Sequence, residues 1–273
     1  MLRCYHIPAI LLAFTFTLTR GSVLIPDVAY GSHPDQIMDI YLPSNDTTRV
    51  SKVAVLIHGG SWDSGDKGQM AEVVEFLETF FPEICIVNIN FRHGNHSSPG
   101  FPKQLEDIDQ VVTYMKNTFI QTVSFAMFGT SSGGHLAALY GYYWDKTAQN
   151  VKVIVTIVGP TDLTDPAYDT HSEWERFFNF VGPCRHQECP ERYIEASPMY
   201  HVDDNSPKTI GFFGTLDYLI PPSQMYRLRE KLDQAGVVNK FTLYPGGHWD
   251  NWSEENKADT VVQITQFFNG HWQ

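Results

Sequence analysis

Residues 123–134 read Val-Ser-Phe-Ala-Met-Phe-Gly-Thr-Ser-Ser-Gly-Gly, a short apolar run that passes directly into Gly129-Thr130-Ser131-Ser132-Gly133. The run is rich in residues that suit a buried strand, and 135–142 which follow have helical composition, so the Gly-x-Ser-x-Gly falls on a strand-to-helix turn. A serine on so tight a turn needs small neighbours, because the flanking backbones crowd one another. Gly129 and Gly133 supply that room, and the N-terminus of the following helix favours negative charge developing beside Ser131. Ser131 is therefore the candidate nucleophile.

Outward from this turn the same alternation repeats. The segments 36–42, 53–57, 84–91, 123–128, 151–158, 209–213 and 240–244 are short, β-branched or aromatic, and bounded by turn residues, which predicts strands. Between them lie segments with helical spacing, such as Leu105, Ile108, Val112, Met115 and Phe119, whose apolar positions share one face. Continuous apolar strands such as VKVIVTIV predict burial on both faces, as in a mainly parallel sheet covered by helices. Before residue 53 the connections are too short for crossover helices, so that edge is expected to be antiparallel. The predicted architecture is an α/β fold with a mostly parallel sheet, an antiparallel N-terminal edge and helices on both faces. Residues 162–207 contain no convincing strand but carry Trp174, Phe177, Phe178 and Phe180, and read as an excursion of short helices over one end of the sheet. Those aromatics fit either a satellite core beneath a long loop or a lid lining an apolar pocket.

Three further motifs sit just beyond strand ends. His58-Gly-Gly-Ser-Trp62 follows the strand 53–57, and its paired glycines let backbone N–H groups turn toward a substrate oxygen. The donors expected there are the N–H groups of Gly60, Ser61 and Ser132, with His58 bracing the loop. Tyr-Pro-Gly-Gly-His-Trp ends the strand 240–244 and offers His248 as the base, and Gly-Thr-Leu-Asp-Tyr-Leu-Ile-Pro-Pro follows 209–213 and offers Asp217 as the acid. Asp162, Asp165 and Asp250 are rival acids, and His135, four residues after Ser131, is read as packing. The resulting chain order, serine, acid, histidine, is the one this triad takes on an α/β sheet. The histidines show no metal-binding spacing and no phosphate loop precedes a helix, so neither a metal nor a cofactor is expected.

Composition narrows the partners. A formal net charge of −12 and a pI near 5.3 disfavour attraction to nucleic acid phosphates. At the N-terminus Arg3 precedes an apolar stretch, 7–18, and small residues follow at Gly21 and Ser22, the layout of a secretory signal over 1–21, leaving 22–273 as one catalytic domain. That stretch is short for a stable membrane span. Cys184 and Cys189 lie close in a polar loop and fit a disulfide, and sequons occur at Asn45, Asn95 and Asn251; both features belong to a secretory route. Cys85, in an apolar strand, is expected to be a buried free thiol. Nothing in the composition bears on oligomeric state.

With HGGSW, GDK, GTSSGGHLAAL, GTLDYLIP and PGGH in this order, the chain resembles the α/β-hydrolase superfamily. Its closest likeness is to the acetyl-xylan/feruloyl esterase-like and arylformamidase-like small serine hydrolases. The resemblance spans roughly residue 28 to the C-terminus and places Ser131, Asp217 and His248 at triad positions and Gly60 with Ser61 at oxyanion positions. It implies a serine esterase acting on a small-molecule ester, and the N-terminal layout and missing cofactor motifs make the expected enzyme secreted and cofactor-free. An arylformamidase-like amidase and a catalytically silent extracellular binding protein are the alternatives. Position 61 departs from the pattern: formamidase loops have Tyr there and hormone-sensitive-lipase-like loops Gly. The signal and disulfide also favour an esterase over a cytosolic formamidase.

Overall fold

The computed structural model describes residues 22–43, 50–119, 123–169, 174–249 and 251–273. The expected signal over 1–21, the Asn45 sequon and the rival acid Asp250 lie outside them.

The described residues form an eight-stranded sheet in the order β1-β2-β4-β3-β5-β6-β7-β8. The strands are β1 (Val23–Ala29), β2 (Ile37–Leu42), β3 (Lys52–Ile57), β4 (Cys85–Ile89), β5 (Ser124–Thr130), β6 (Val151–Ile157), β7 (Lys208–Gly214) and β8 (Asn239–Tyr244). Pairings β1–β2 and β2–β4 are antiparallel, and every pairing from β3 to β8 is parallel. This is the mixed sheet expected, with its antiparallel edge on the N-terminal side.

β1 is an addition to the strands read from the sequence. Pro26 interrupts its apolar pattern and cannot donate to a ladder, so the segment belongs at an edge. The register slips between Ile25 and Val28, where Asp27 takes a positive φ of 52°, and Val23, Leu24 and Ile25 stay exposed.

Alternation along the central strands divides the core in two. Val53, Val55, Ile57, Phe125 and Met127 face one side, where they meet apolar residues of α2 (Lys103–Thr118), α3 (Ser132–Leu139) and α6 (Ser223–Gln234). Ala54, Leu56, Ala126 and Phe128 face the other, covered by α1 (Ala71–Phe80) and α7 (Glu254–His271). In α2 the buried Leu105, Ile108, Val111, Val112 and Met115 recur at three- and four-residue steps, which is the amphipathic stripe that a sheet-covering helix requires. Cys85 in β4 is a free, buried cysteine, and burial pushes its thiol up to about 12, so it stays neutral.

Between β6 and β7 the chain makes the expected excursion of short helices, including α4 (Phe177–Phe180) and α5 (Pro190–Glu195). Phe177 and Phe180 are buried in the first core, and Cys184 and Cys189 are joined by a disulfide within this segment.

Candidate active site

Ser131 sits at the sharp turn where β5 becomes α3, with φ +51° and ψ −124°, a conformation that costs an ordinary side chain energy and here lifts its Oγ clear of both elements. Its N–H donates to the Ile157 carbonyl at 2.8 Å, which ties the turn to the end of β6. A Cβ on Gly129 would lie 2.1 Å from the Gly133 carbonyl oxygen, and one on Gly133 would lie 2.1 Å from that of Ile57. Only bare Cα atoms permit this approach of β3, β5 and α3.

His248 follows β8 and Asp217 follows β7, and sheet order makes these strands neighbours. Across 117 residues of sequence, His248 Nε2 lies 3.0 Å from Ser131 Oγ, and its Nδ1 lies 2.8 Å from Asp217 Oδ2. An ionised carboxylate only accepts, so Nδ1 carries the proton, Nε2 is left as acceptor, and the Ser131 hydroxyl donates to it. The Asp217 side chain is fully buried, and its other oxygen accepts the backbone N–H groups of Leu219 and Ile220, both at 2.9 Å. The carboxylate is thereby fixed from two sides.

The two rival acids that are described serve elsewhere. Asp162 pairs with Arg227 at 2.6 Å and accepts from Thr164, while Asp165 accepts from Ser223 and Gln224. These contacts anchor the excursion to α6.

The loop 58–62 runs beside Ser131: a Cβ on Gly59 would stand 3.2 Å from that of Ser131. The Gly60 carbonyl accepts from the N–H groups of Asp63 and Ser64, and the positive φ of Gly60, Ser61 and Trp62 turns the backbone over. The N–H groups of Gly60, Ser61 and Ser132 have no acceptor among the described residues. Ser61 and Ser132 line the same cleft as Ser131. Such donors suit an oxygen acquiring negative charge. The buried Ser132 hydroxyl is also without a partner among the described residues.

His58 braces this loop, as expected: it is buried, it stacks on Phe91 at 4.4 Å between centroids, and its Nδ1 meets the Gly59 carbonyl at 2.6 Å. Burial holds its pKa below the ordinary histidine value. His135 does more than pack. Its Nδ1 accepts the Trp62 indole N–H at 3.1 Å, and its Nε2–H donates to the Ala196 carbonyl at 2.8 Å, joining the loop, α3 and the excursion. Complete burial lowers its pKa to about 4, so it is neutral at pH 7.

The cleft beside Ser131 is narrow, with about 40 Å³ of free space, and is walled largely by apolar groups, among them Trp62, Pro160, Tyr168, Phe177, Leu219 and Ile220. Arg176, also on the cleft, donates from Nη1 to Ser61 Oγ at 2.9 Å. Trp62 belongs to the loop 58–62, Leu219 and Ile220 to the motif after β7, and Phe177 to the aromatics of the excursion; Pro160 and Tyr168 carry no local motif.

Of the described sequons, Asn95 and Asn251 are both exposed. Asn95 Oδ1 accepts from the N–H and hydroxyl of Ser97. Asn251 Oδ1 accepts the Gly247 N–H at 2.6 Å, so this side chain also supports the loop that carries His248. Among the described residues, no group of three or more His, Cys, Asp or Glu could hold a metal ion, and no helix is long and apolar enough to cross a membrane.

The sheet order, the strained serine turn and the loops gathered at its end make this chain an α/β-hydrolase. Within that superfamily it belongs to the BD-FAE family, whose family model matches residues 38–232. It is similar to Esterase LipC of Mycobacterium tuberculosis (strain ATCC 25618 / H37Rv), 26% identical in an alignment that covers 89% of this chain and 64% of that protein. It is also similar to isoprenylcysteine alpha-carbonyl methylesterase ICME of Arabidopsis thaliana, 24% identical over 80% of this chain and 55% of that one. The chain thus spans less than two thirds of the length of these curated relatives. Among solved structures, a bacterial heroin esterase superposes with a TM-score of 0.72 at 20% identity, over 90% of this chain and 84% of its own. A truncated carbohydrate esterase from gut microbiota gives a TM-score of 0.72 at 21% identity, over 90% and 97%. These likenesses bear on the fold.

Proposed function

We propose that this protein is a carboxylic ester hydrolase that works through an acyl-enzyme on Ser131. The observation that carries the reading is the continuous hydrogen-bond chain from Ser131 Oγ through His248 to the buried Asp217. His248 Nε2 takes the hydroxyl proton as Oγ attacks the ester carbonyl, and Asp217 holds the imidazole in the required tautomer and stabilises its cation. The oxyanion is met by the N–H groups of Gly60, Ser61 and Ser132; loss of one such donor typically costs about 2.7–4 kcal/mol of barrier. His248 returns the proton to the leaving alkoxide, and water then repeats the sequence to release the acid. The esterase names of the curated relatives support the same reading.

The test is hydrolysis of p-nitrophenyl acetate by the parent and by Ser131→Ala, with a serine-directed phosphonate as label. The expected result is turnover and stoichiometric labelling of the parent alone. A parent that neither turns over nor takes the label would end this reading.

A secreted, glycosylated enzyme is part of the proposal. It is supported by the N-terminal composition, by the exposed Asn95 and Asn251 and by the Cys184–Cys189 bridge, which calls for an oxidising compartment. Expression in a eukaryotic secretory host should yield medium protein whose N-terminus lies near Gly21 and whose mobility shifts on deglycosylation. Retention in the cytosol with an intact N-terminus would refute it.

A further inference from the structure

We infer that the Tyr168–Phe177 ring pair is a partition that limits the length of the group bound beside Ser131, and that the substrates are therefore esters with a short chain in this cleft. The inference rests on the esterase reading and deepens it. Beside the cleft, which has about 40 Å³ of free space, lies a second solvent-open hollow of about 20 Å³, lined by Leu163, Asp169, His186, Gln187 and Tyr193 among others. Among the described residues, the two share Tyr168 and Phe177 alone.

These rings meet edge to face, 4.9 Å between centroids and 83° between planes, and both stand in the wall of each hollow. Both are held in place. They are 3% and 8% exposed, and Phe177 also packs on Trp62 from the cleft side and on Tyr193 from the far side. A chain growing from the Ser131 side therefore meets aromatic carbon before it reaches the second cavity. Beyond the rings the lining includes a paired polar cluster: Gln187 Nε2 donates to Asp169 at 2.7 Å, and His186 Nδ1 lies 3.5 Å from the same carboxylate. An alkyl end pushed through would displace the rings and desolvate these groups, two penalties in series. The Cys184–Cys189 bridge and the Tyr193 hydroxyl, which donates to the Cys184 carbonyl at 2.7 Å, hold the far wall.

The experiment compares kcat/KM for p-nitrophenyl esters from acetate to decanoate, and for acetate esters of straight-chain alcohols, in the parent, Phe177→Ala and Phe177→Leu. Leucine keeps an apolar filling and guards against a variant that fails to fold. The readout is the ratio of long- to short-chain kcat/KM, in which a general loss of activity cancels. In at least one series the parent should fall steeply with length, and the variants should raise the ratio by at least about tenfold, the scale of one methylene in an apolar pocket. A parent that accepts decanoate as readily as butyrate, or variants that leave both ratios unchanged, would overturn the partition. If the parent shows no Ser131-dependent turnover, it is the esterase reading that has failed. The partition is then decided by calorimetric binding of decanoate, which needs no chemistry: tighter binding to Phe177→Leu than to the parent supports it, and equal binding overturns it.

Discussion

The Trp62 indole donates its N–H to Nδ1 of His135, so the loop 58–62 is bonded to α3, the helix that begins directly after Ser131. The Trp62 carbonyl is held as well, by the Gly94 N–H and Gln104 Nε2. Trp62→Phe keeps most of the ring volume but leaves the His135 nitrogen buried without its donor, at a cost of about 1–3 kcal/mol of stability. Because a displacement near 1 Å can cost as much as about 100-fold in rate, kcat should fall by about 10- to 100-fold, with KM less affected. Thermal melts and steady-state kinetics check both parts.

His135 also predicts an acid-sensitive fold. In the unfolded chain its imidazole takes a proton near its ordinary value of 6.5, whereas in the folded protein it resists protonation down to about 4. The unfolded state therefore binds more protons through this window, and stability drops as pH falls from 6.5 toward 4, by about 3 kcal/mol from this group. Denaturant titrations between pH 7 and 4.5 should show the decline, and His135→Gln should make it shallower. An unchanged slope in the variant would remove His135 as its source.

Asp217 and Asp162 separate catalysis from anchoring. Asp217→Asn keeps the shape but no longer holds His248 in the required tautomer, and kcat should drop by roughly 10⁴-fold. Asp162→Asn instead weakens the pair with Arg227, lowering stability by about 1–3 kcal/mol while kcat at saturating p-nitrophenyl acetate stays within a few-fold of the parent. Reversed effects would exchange the assignments of the two acids.

Asn251 is expected to act on His248 through the backbone. Asn251→Ala removes the acceptor for the Gly247 N–H and should lower kcat by about 2- to 10-fold, the worth of one such hydrogen bond. Asn251→Asp keeps an acceptor and should recover most of that loss. Ser253→Ala removes the sequon but leaves Asn251 in place, so kinetics of the three variants distinguish the hydrogen bond from any sugar.

Much of this site was legible because its residues obey one local rule: each of Ser131, Asp217 and His248 lies just past an apolar strand. The same rule also admits Asp162, which follows β6 much as Asp217 follows β7. What separates them is that β7, not β6, pairs with β8. Sheet order is a non-local property absent from the pattern around either aspartate. β1 escaped the strand reading because Pro26 breaks its alternation. The cleft walls at Tyr168 and Phe177 carry no periodic signal, since short helical turns take their places from tertiary packing. For Asn251 the sequon was readable, but the bond to Gly247 depends on the fold of the His248 loop.

The excursion between β6 and β7 leaves the sheet after Ile157 and rejoins it at Lys208, on two strands already paired to one another. Its entry and exit are thus fixed by the sheet, whatever its interior contains. Ser131, Asp217 and His248 all lie outside it, while Tyr168, Phe177 and the disulfide lie within. The insertion touches the site's frame at two points, Arg176 on Ser61 and Ala196 on His135, and otherwise supplies cleft wall. An exchange of this insertion for another joined to the same two strands would alter the cleft wall while leaving β6, β7 and the positions of Ser131, Asp217 and His248 in place.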